Sequence, residues 1–120
     1  MEGISKENLL YPELSYNIVG ILFKVQNDLP AGCQEKHVQR AVAASFSKDR
    51  IDFRQQVMTP IEFEGKIIGR YFFDFIVENK IVIELKVGEK LSKKDFDQIK
   101  QYLQKSSLKL GLLARFGRGA

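Results

Sequence analysis

Apolar residues recur at three- and four-residue steps along the first part of the chain, which is the period of an amphipathic helix. One such stretch runs from Glu13 to Asp28, and a second runs from about Cys33 to Ser47. They are separated by Leu29-Pro30-Ala31-Gly32, because proline disfavours helix in the residue before it and glycine relaxes the backbone. We therefore predict two helices, with apolar stripes formed by Leu14, Ile18, Ile21, Leu22 and Val25 in the first and by Val38, Ala41, Val42 and Phe46 in the second.

The middle of the chain changes to runs of β-branched and aromatic residues, which are typical of strands. Val57 to Phe63 predicts a first strand, in which Pro60 favours an edge position or a bulge. Ile67 to Val77 predicts a long second strand, and Ile81 to Val87 predicts a third after a polar turn at residues 78–80. We expect these consecutive strands to be antiparallel.

Helical spacing returns after the third strand. Ser92 and Asp95 have the pattern of a capping box, which predicts a helix continuing to about Ser106. Leu108 to Phe116 predicts a last strand, apolar enough to be central or covered on both faces. This order predicts an α/β sandwich, a mixed central sheet flanked by helices with a right-handed crossover to its last strand. The buried stripe of its last helix is expected to be Phe96, Ile99 and Leu103.

Length and composition restrict the class of protein. At 120 residues, with 44% hydrophobic and 28% charged residues, we expect one globular domain. The chain has no apolar run as long as a membrane span, and residues 1–6 lack the apolar core of a signal peptide, so a cytoplasmic protein is expected. A single cysteine, Cys33, and a single histidine, His37, rule out an intrachain disulfide and a usual Cys/His zinc site, and give little support to covalent catalysis.

The charge of the chain favours a polyanionic partner. The formal net charge is +4 and the sequence pI is about 9.2. Much of the basic excess follows the third strand and includes Lys94 and Lys100 on the predicted last helix. Solvated helix faces often carry such lysines, so the charge alone does not establish a nucleic-acid partner.

From Tyr71 to Val77 and from Ile81 to Val87, three charged residues interrupt the apolar strands: Asp74, Glu84 and Lys86. Side chains alternate between the faces of a strand, so Glu84 and Lys86 share one face. If residues 78–80 form a three-residue loop, Val77 pairs with Ile81 and Asp74 falls opposite Glu84 on the same face. A two-residue loop would turn Asp74 away from Glu84.

In the first of these registers the two carboxylates face each other at roughly 5 Å between β-carbons, which is unfavourable without a cation or a proton between them. That register predicts a site for a divalent ion such as Mg²⁺, with Lys86 beside it. Ordinary charges on an exposed sheet face are the simpler alternative. Against it, Phe72, Ile76 and Val82 are expected on the same face and would partly cover it.

The order Asp74, nine intervening residues and then Glu84-Leu85-Lys86 resembles the metal-binding signature of the PD-(D/E)XK nuclease superfamily. From about Leu14 to Phe116 the chain more closely resembles the small family of prokaryotic GxxExxY proteins. Gly32-Cys33-Gln34-Glu35 stands where that family has its Gly-x-x-Glu, whereas the family's tyrosine position is Val38 here. The resemblance favours the register in which Asp74 faces Glu84.

The resemblance implies a metal-dependent nuclease. Asp74 and Glu84 would hold Mg²⁺ or Mn²⁺ together with the backbone carbonyl of Leu85. Glu35 would be an additional ligand, although the helix dipole alone explains an acidic residue in a first helical turn. Lys86 would orient the attacking water or neutralise the phosphate.

The predicted last helix would contact the substrate. Gln98 and Tyr102 match a Gln-x-x-x-Tyr pattern that many relatives have after the Glu-x-Lys strand, and they would position the backbone of DNA or RNA. Lys94 and Lys100 would add salt-sensitive affinity. The main alternative is a nuclease-like module that binds nucleic acid or another protein without cutting, and a third is an unrelated two-layer α/β structural protein. The sequence leaves a homodimer open.

Overall fold

A computed structural model of the chain describes residues 11–88 and 90–117. The described residues form α1 (Pro12–Asp28), α2 (Glu35–Lys48), β1 (Phe53–Phe63), β2 (Lys66–Val77), β3 (Ile81–Val87), α3 (Lys93–Lys105) and β4 (Leu110–Phe116). The predicted α/β sandwich with a mixed sheet is confirmed. Residues 1–6, on which the expectation of a cytoplasmic protein partly rests, lie outside the described residues.

The four strands of the described residues form one sheet in the order β1-β2-β3-β4. β1 and β2 are antiparallel, as are β2 and β3, whereas β4 runs parallel to β3 and follows it through α3. β4 is therefore an edge strand and not a central one. Its apolar character is explained by cover on both faces, since Leu112 and Ala114 pack in one hydrophobic cluster and Leu113 packs in the other.

Helices cover the two faces of the sheet separately. α1 and α2 lie on one face, where the buried residues of both helices pack with alternate residues of β2, β3 and β4; they include Ile18, Leu22, Phe46, Phe75, Ile83 and Leu112. α3 lies on the other face, where Ile99 packs with Ile76, Val82 and Leu113. Gly111 allows this close approach, because a Cβ at that position would collide with the side chain of Ile99.

Two predictions about these elements were wrong. β1 begins at Phe53 and not at Val57, because the ring of Phe53 packs against Phe46 and Phe75. Phe96 is 47% exposed, because the side of α3 that faces the sheet carries Ile99 and Tyr102, and Phe96 lies at the edge of that side. The expectation from Pro60 is confirmed, since β1 is an edge strand with a register shift between Ile61 and Glu62.

Candidate metal centre

The turn between β2 and β3 determines how the acidic residues face each other. Val77 pairs with Ile81, so residues 78–80 form a three-residue loop, closed by the N–H of Lys80 donating to the carbonyl of Val77 at 2.9 Å. The same register continues to Phe75 and Ile83. Asp74 and Glu84, the next position on each strand, therefore lie opposite each other, as the three-residue loop predicted. We refer to these two residues as the acid pair.

Backbone pairing between β2 and β3 stops at this point, although both strands continue. The carboxylates bridge the strands instead. Oε1 of Glu84 accepts the N–H of Asp74 at 2.9 Å, and Oδ2 of Asp74 accepts the N–H of Leu85 at 2.7 Å. Beyond the acid pair β2 stays paired with β1, while β3 stays paired with β4. The acid pair thus lies where the β1–β2 hairpin diverges from the rest of the sheet.

The side-chain alternation of β2 changes at Asp74. Phe75 belongs to the cluster under α1 and α2, whereas Phe73, two residues earlier, belongs to the cluster under α3. Gln56, the residue opposite Asp74 on β1, has a left-handed backbone with φ of 48°. The prediction that Phe72 covers the acid pair was therefore wrong, and this residue is 49% exposed. Ile76 and Val82 are buried, as expected.

Both acidic residues are buried, and each is only 6% exposed. Oδ1 of Asp74 accepts hydrogen bonds from Nε2 of Gln39 at 2.7 Å and from Nε2 of Gln56 at 3.4 Å. Oε2 of Glu84 accepts a hydrogen bond from the Tyr71 hydroxyl at 2.5 Å. These donors, with the two backbone N–H groups, fix the orientation of the acid pair and offset part of the cost of burying it.

Burial opposes ionisation of the acid pair. It raises the pKa of Glu84 to about 7, with a further contribution from the charge of Asp74. Burial likewise raises the pKa of Asp74, against the hydrogen bond from Leu85 and the positive charge of Lys86. The pKa of Tyr71 is also raised, by burial and by its bond to Glu84, so this hydroxyl remains a donor. Two carboxylates that resist ionisation together favour a shared proton or a cation.

The atoms of the acid pair fit a hard divalent cation. Mg²⁺ prefers oxygen ligands and is usually held by one or two carboxylates, with water in its remaining positions. A carboxylate has about four lone-pair sites, so the hydrogen bonds of the acid pair leave acceptor capacity on both side chains. Within residues 11–88 and 90–117, no three His, Cys, Asp or Glu side chains come close enough together to hold a metal ion. Glu35 thus does not complete a three-acid cluster with the acid pair.

Glu35 nevertheless lies on the helix that contacts the site. It is exposed in the first turn of α2, four residues before Gln39. Residues at this spacing share one helix face, so Glu35 lies one turn from the amide that binds Asp74. Its role as a metal ligand stays a prediction. Val38, at the family's tyrosine position, is 3% exposed and packs in the core beneath α1 and α2.

The other residues of the predicted site lie on β3 and α3. Lys86 is half-buried and close enough to Asp74 for its charge to lower the pKa of that carboxyl. Gln98 and Tyr102 are half-buried and line one cleft together. Lys94 and Lys100 are exposed on α3 and do not line this cleft.

Three residues that contact the acid pair were not predicted from the sequence: Gln39, Gln56 and Tyr71. Gln39 could have been found as the residue one turn after Glu35. Gln56 stood before the predicted start of β1, and its left-handed backbone has no sequence signal. Tyr71 contacts Glu84 beyond the point where the pairing of β2 and β3 ends. His37 is an exposed helix residue, and its Nδ1 accepts the N–H of Gln34 at 3.1 Å.

The comparison with known families agrees with this geometry. The family model of the PD-(D/E)XK nuclease superfamily matches residues 12–120. The chain therefore belongs to this superfamily, whose members are nucleases and generally depend on a divalent metal. No curated protein and no solved structure is significantly similar to the chain. The narrower resemblance to GxxExxY proteins stays a prediction.

Membership in the superfamily supports a nuclease-like function, that is, a hydrolase of the phosphodiesterase type with nucleic acid as substrate. None of the helices in the described residues combines the length and apolarity needed to cross a membrane.

Proposed function

We propose that the chain is a Mg²⁺- or Mn²⁺-dependent nuclease that hydrolyses phosphodiester bonds of DNA or RNA at the acid pair. One observation carries the proposal: Asp74 and Glu84 are buried opposite each other where β2 and β3 diverge, and burial raises the pKa of both. A divalent cation offsets the repulsion between two such carboxylates. Charged or coordinating groups of this kind are unusual inside a fold without a functional reason.

The acid pair would hold the ion, with the backbone carbonyl of Leu85 and the carboxylate of Glu35 as further proposed ligands. When bound, the ion supplies a Lewis acid that activates a water molecule and offsets charge on the phosphate. Gln39 and Tyr71 act as positioning residues, because they fix one oxygen of each carboxylate. These contacts restrict the rotation of the two carboxylate side chains before the substrate binds, so less reorganisation is needed during the reaction.

Lys86 would act on the substrate and the attacking water. It follows Glu84 and Leu85 on β3, and its charge already affects the pKa of Asp74. An ammonium group at this position can neutralise a phosphate oxygen in the transition state or orient the water. Since Lys86 is half-buried, its charge is less screened than that of a surface lysine.

The nucleic acid would lie along α3. Lys94 and Lys100 are exposed on this helix and would contact phosphates, which makes affinity depend on salt. Gln98 and Tyr102 would contact the substrate closer to the acid pair. A cytoplasmic location, a single domain and a homodimer are compatible with this function and stay predictions.

Cleavage of a substrate panel tests the proposal. Single- and double-stranded DNA and RNA are incubated with Mn²⁺ and with wild-type protein, Asp74→Asn or Glu64→Gln. Glu64 is exposed at the turn between β1 and β2, so Glu64→Gln is the matched control for removing an acidic charge. We expect wild type and Glu64→Gln to cleave at equal rates and Asp74→Asn to be inactive. Binding without any cleavage that depends on Asp74 would identify a nuclease-like binding module instead.

A further inference from the structure

A cleft opens between the β1–β2 hairpin and α3, beside the acid pair. Its volume is about 140 Å³, and its walls come from β1, β2 and α3. We refer to it as the α3 cleft. Tyr71 lines the cleft and also donates its hydroxyl to Glu84 at 2.5 Å. The side chain of Tyr71 therefore contacts both the cleft and the acid pair.

Three aromatic rings adjoin the α3 cleft: those of Tyr71 and Tyr102 are half-buried, whereas that of Phe73, between them, is only 1% exposed. The ring centroids of Tyr71 and Phe73 are 4.9 Å apart, and those of Phe73 and Tyr102 are 4.7 Å apart. The contacts are edge-on or tilted, with interplanar angles of 65° and 51°, so the rings meet at an angle and form a corner. Aromatic side chains at such a site are the usual platform for an unstacked nucleobase.

Polar side chains complete the α3 cleft. Gln98, Gln101 and Lys105 contribute from α3, and Thr59 contributes from β1. An amide side chain offers both a donor and an acceptor, which is the pattern that the edge of a nucleobase presents. A cleft for the sugar-phosphate backbone alone would need a positively charged lining and no aromatic platform. The lining of the α3 cleft carries both a cation, Lys105, and a carboxylate, Glu62, and it combines two half-buried tyrosine rings with two amides.

The volume limits what the α3 cleft can hold. A cavity of about 150 Å³ in a protein interior binds benzene, so a space of this size accepts one six-membered ring. A pyrimidine fills this space with its one ring, whereas the second ring of a purine would lie at the side of the cleft that is open to solvent. A base within a duplex is stacked and paired, so it cannot enter without being unstacked first.

We propose that the α3 cleft binds one unstacked nucleobase, a pyrimidine by size, of the strand whose phosphate lies at the acid pair. This rests on the proposed function and deepens it, because it makes the substrate a single strand or a frayed end. Gln98 and Tyr102 then contact a base and not the backbone, in contrast to the expectation from the sequence. Tyr71 joins base binding to the position of Glu84.

The test measures binding in EDTA, so that cleavage does not enter the readout. The probes are fluorescently labelled strands of equal length and charge: oligothymidylate, oligoadenylate and a strand of abasic residues. We expect wild type to bind oligothymidylate about tenfold more tightly than the abasic strand, which is the scale of one base stack. Oligoadenylate is expected to bind less tightly than oligothymidylate.

Matched variants test whether the preference for oligothymidylate over the abasic strand depends on the α3 cleft. Gln101 and Gln104 are both exposed on α3, but only Gln101 lines the α3 cleft, so neither Gln101→Ala nor Gln104→Ala should impair folding. Tyr102→Ala removes the ring, and Tyr16→Ala is its control, since Tyr16 is 80% exposed on α1. We expect Gln101→Ala and Tyr102→Ala to reduce the ratio of the two dissociation constants, and both controls to keep it.

Each outcome decides for or against the α3 cleft. Equal binding of oligothymidylate and the abasic strand by wild type, binding of neither, or identical ratios in Gln101→Ala and Gln104→Ala would overturn the proposal. Equal binding of oligoadenylate and oligothymidylate would overturn the pyrimidine preference. A base preference that depends on Gln101, in a protein that cleaves nothing with Mn²⁺, supports the α3 cleft and overturns the nuclease function. Cleavage without a base preference supports the nuclease function and overturns base binding in the α3 cleft.

Discussion

Asp74 and Glu84 each accept a backbone N–H from the other's strand: Glu84 binds the N–H of Asp74 at 2.9 Å, and Asp74 binds the N–H of Leu85 at 2.7 Å. These two bonds stand where the regular pairing of β2 and β3 ends. Each carboxylate therefore has a structural and a chemical role. Replacement by an amide of the same shape separates the two roles, because an amide keeps an acceptor oxygen and loses the charge.

Divalent metal should stabilise the protein through the acid pair. At about 100 times the dissociation constant, a ligand that binds only the folded state raises the free energy of unfolding by about 2.7 kcal/mol. We expect Mg²⁺ or Mn²⁺ to raise the melting temperature of wild type. Asp74→Asn should raise the melting temperature of the metal-free protein, because it removes like-charge repulsion, and should abolish the response to metal. Differential scanning fluorimetry measures both effects.

Glu64→Gln is the control for this measurement, since it removes an exposed acidic charge at the β1–β2 turn. It should respond to metal as wild type does. A melting curve of wild type that neither ion changes, at concentrations up to tens of millimolar, would contradict a metal site at the acid pair.

The metal-free protein should lose stability as pH rises from about 4.5 to about 7. The pKa of Glu84 is raised to about 7 from its usual 4.5, so in this range the folded state binds more protons than the unfolded state. The free energy of unfolding therefore falls with pH through this window and levels off above it. The raised pKa of Asp74 acts in the same direction. Urea denaturation in EDTA across this range measures the slope.

Glu84→Gln should flatten this pH dependence, because the titrating group is gone while the acceptor for the N–H of Asp74 remains. Groups that do not contact the acid pair contribute equally to both proteins, so the difference between the two curves reports the titration of Glu84 together with its effect on Asp74. Parallel curves for wild type and Glu84→Gln would show that this carboxyl does not have a raised pKa.

Tyr71→Phe tests how Glu84 is held in position. The change removes the hydroxyl that donates to Oε2 of Glu84 at 2.5 Å and keeps the ring that packs on Phe73. Because this hydrogen bond lowers the pKa of Glu84, its loss should raise that pKa further. The descending part of the stability curve in EDTA should then move to higher pH. Tyr16→Phe, at an exposed position of α1, should leave the curve unchanged.

Lys86 and the lysines of α3 should affect different steps. Lys86→Ala should lower the rate of cleavage at saturating substrate by about two orders of magnitude, which is the scale of one lost electrostatic catalytic group. Lys94→Ala or Lys100→Ala should weaken binding and flatten its dependence on salt, while the rate at saturation stays the same. Single-turnover kinetics at several salt concentrations separate the two effects. If Lys86→Ala, Lys94→Ala and Lys100→Ala lost affinity equally and all kept the wild-type rate, the result would show that Lys86 has no catalytic role.

The register of the β2–β3 hairpin could be predicted from the sequence, because side-chain alternation and the length of the loop restrict it to a few choices. Val77 pairs with Ile81 as the three-residue loop requires, and Asp74 consequently lies opposite Glu84. The helices were predictable for a similar reason, since the buried residues of α1 and α2 follow the apolar period. These features depend on interactions that are local in the chain.

The surroundings of the acid pair could not be predicted in this way. Gln39 contacts Asp74 across 35 positions of sequence, and no local pattern specifies such a contact. The side chains of β2 change faces at Asp74, opposite the left-handed backbone of Gln56, and Phe72 is exposed against expectation. Phe96 was predicted to be buried because it lies three residues before Ile99, and residues at this spacing lie close together on a helix surface. Tyr102 lies three residues after Ile99, and packing against the sheet buries the side of α3 that carries Tyr102 instead.

The central claim is that Asp74 and Glu84 together hold a divalent ion, and a crystal soaked in Mn²⁺ tests it most directly. Anomalous difference density should show one strong peak between the two side chains, with an oxygen of each at about 2 Å from the ion. The same map shows whether Glu35 and the carbonyl of Leu85 are ligands. A crystal of Asp74→Asn, soaked identically, should lack the peak. A fully soaked wild-type crystal without density at the acid pair, or with Mn²⁺ bound only elsewhere, would contradict the claim.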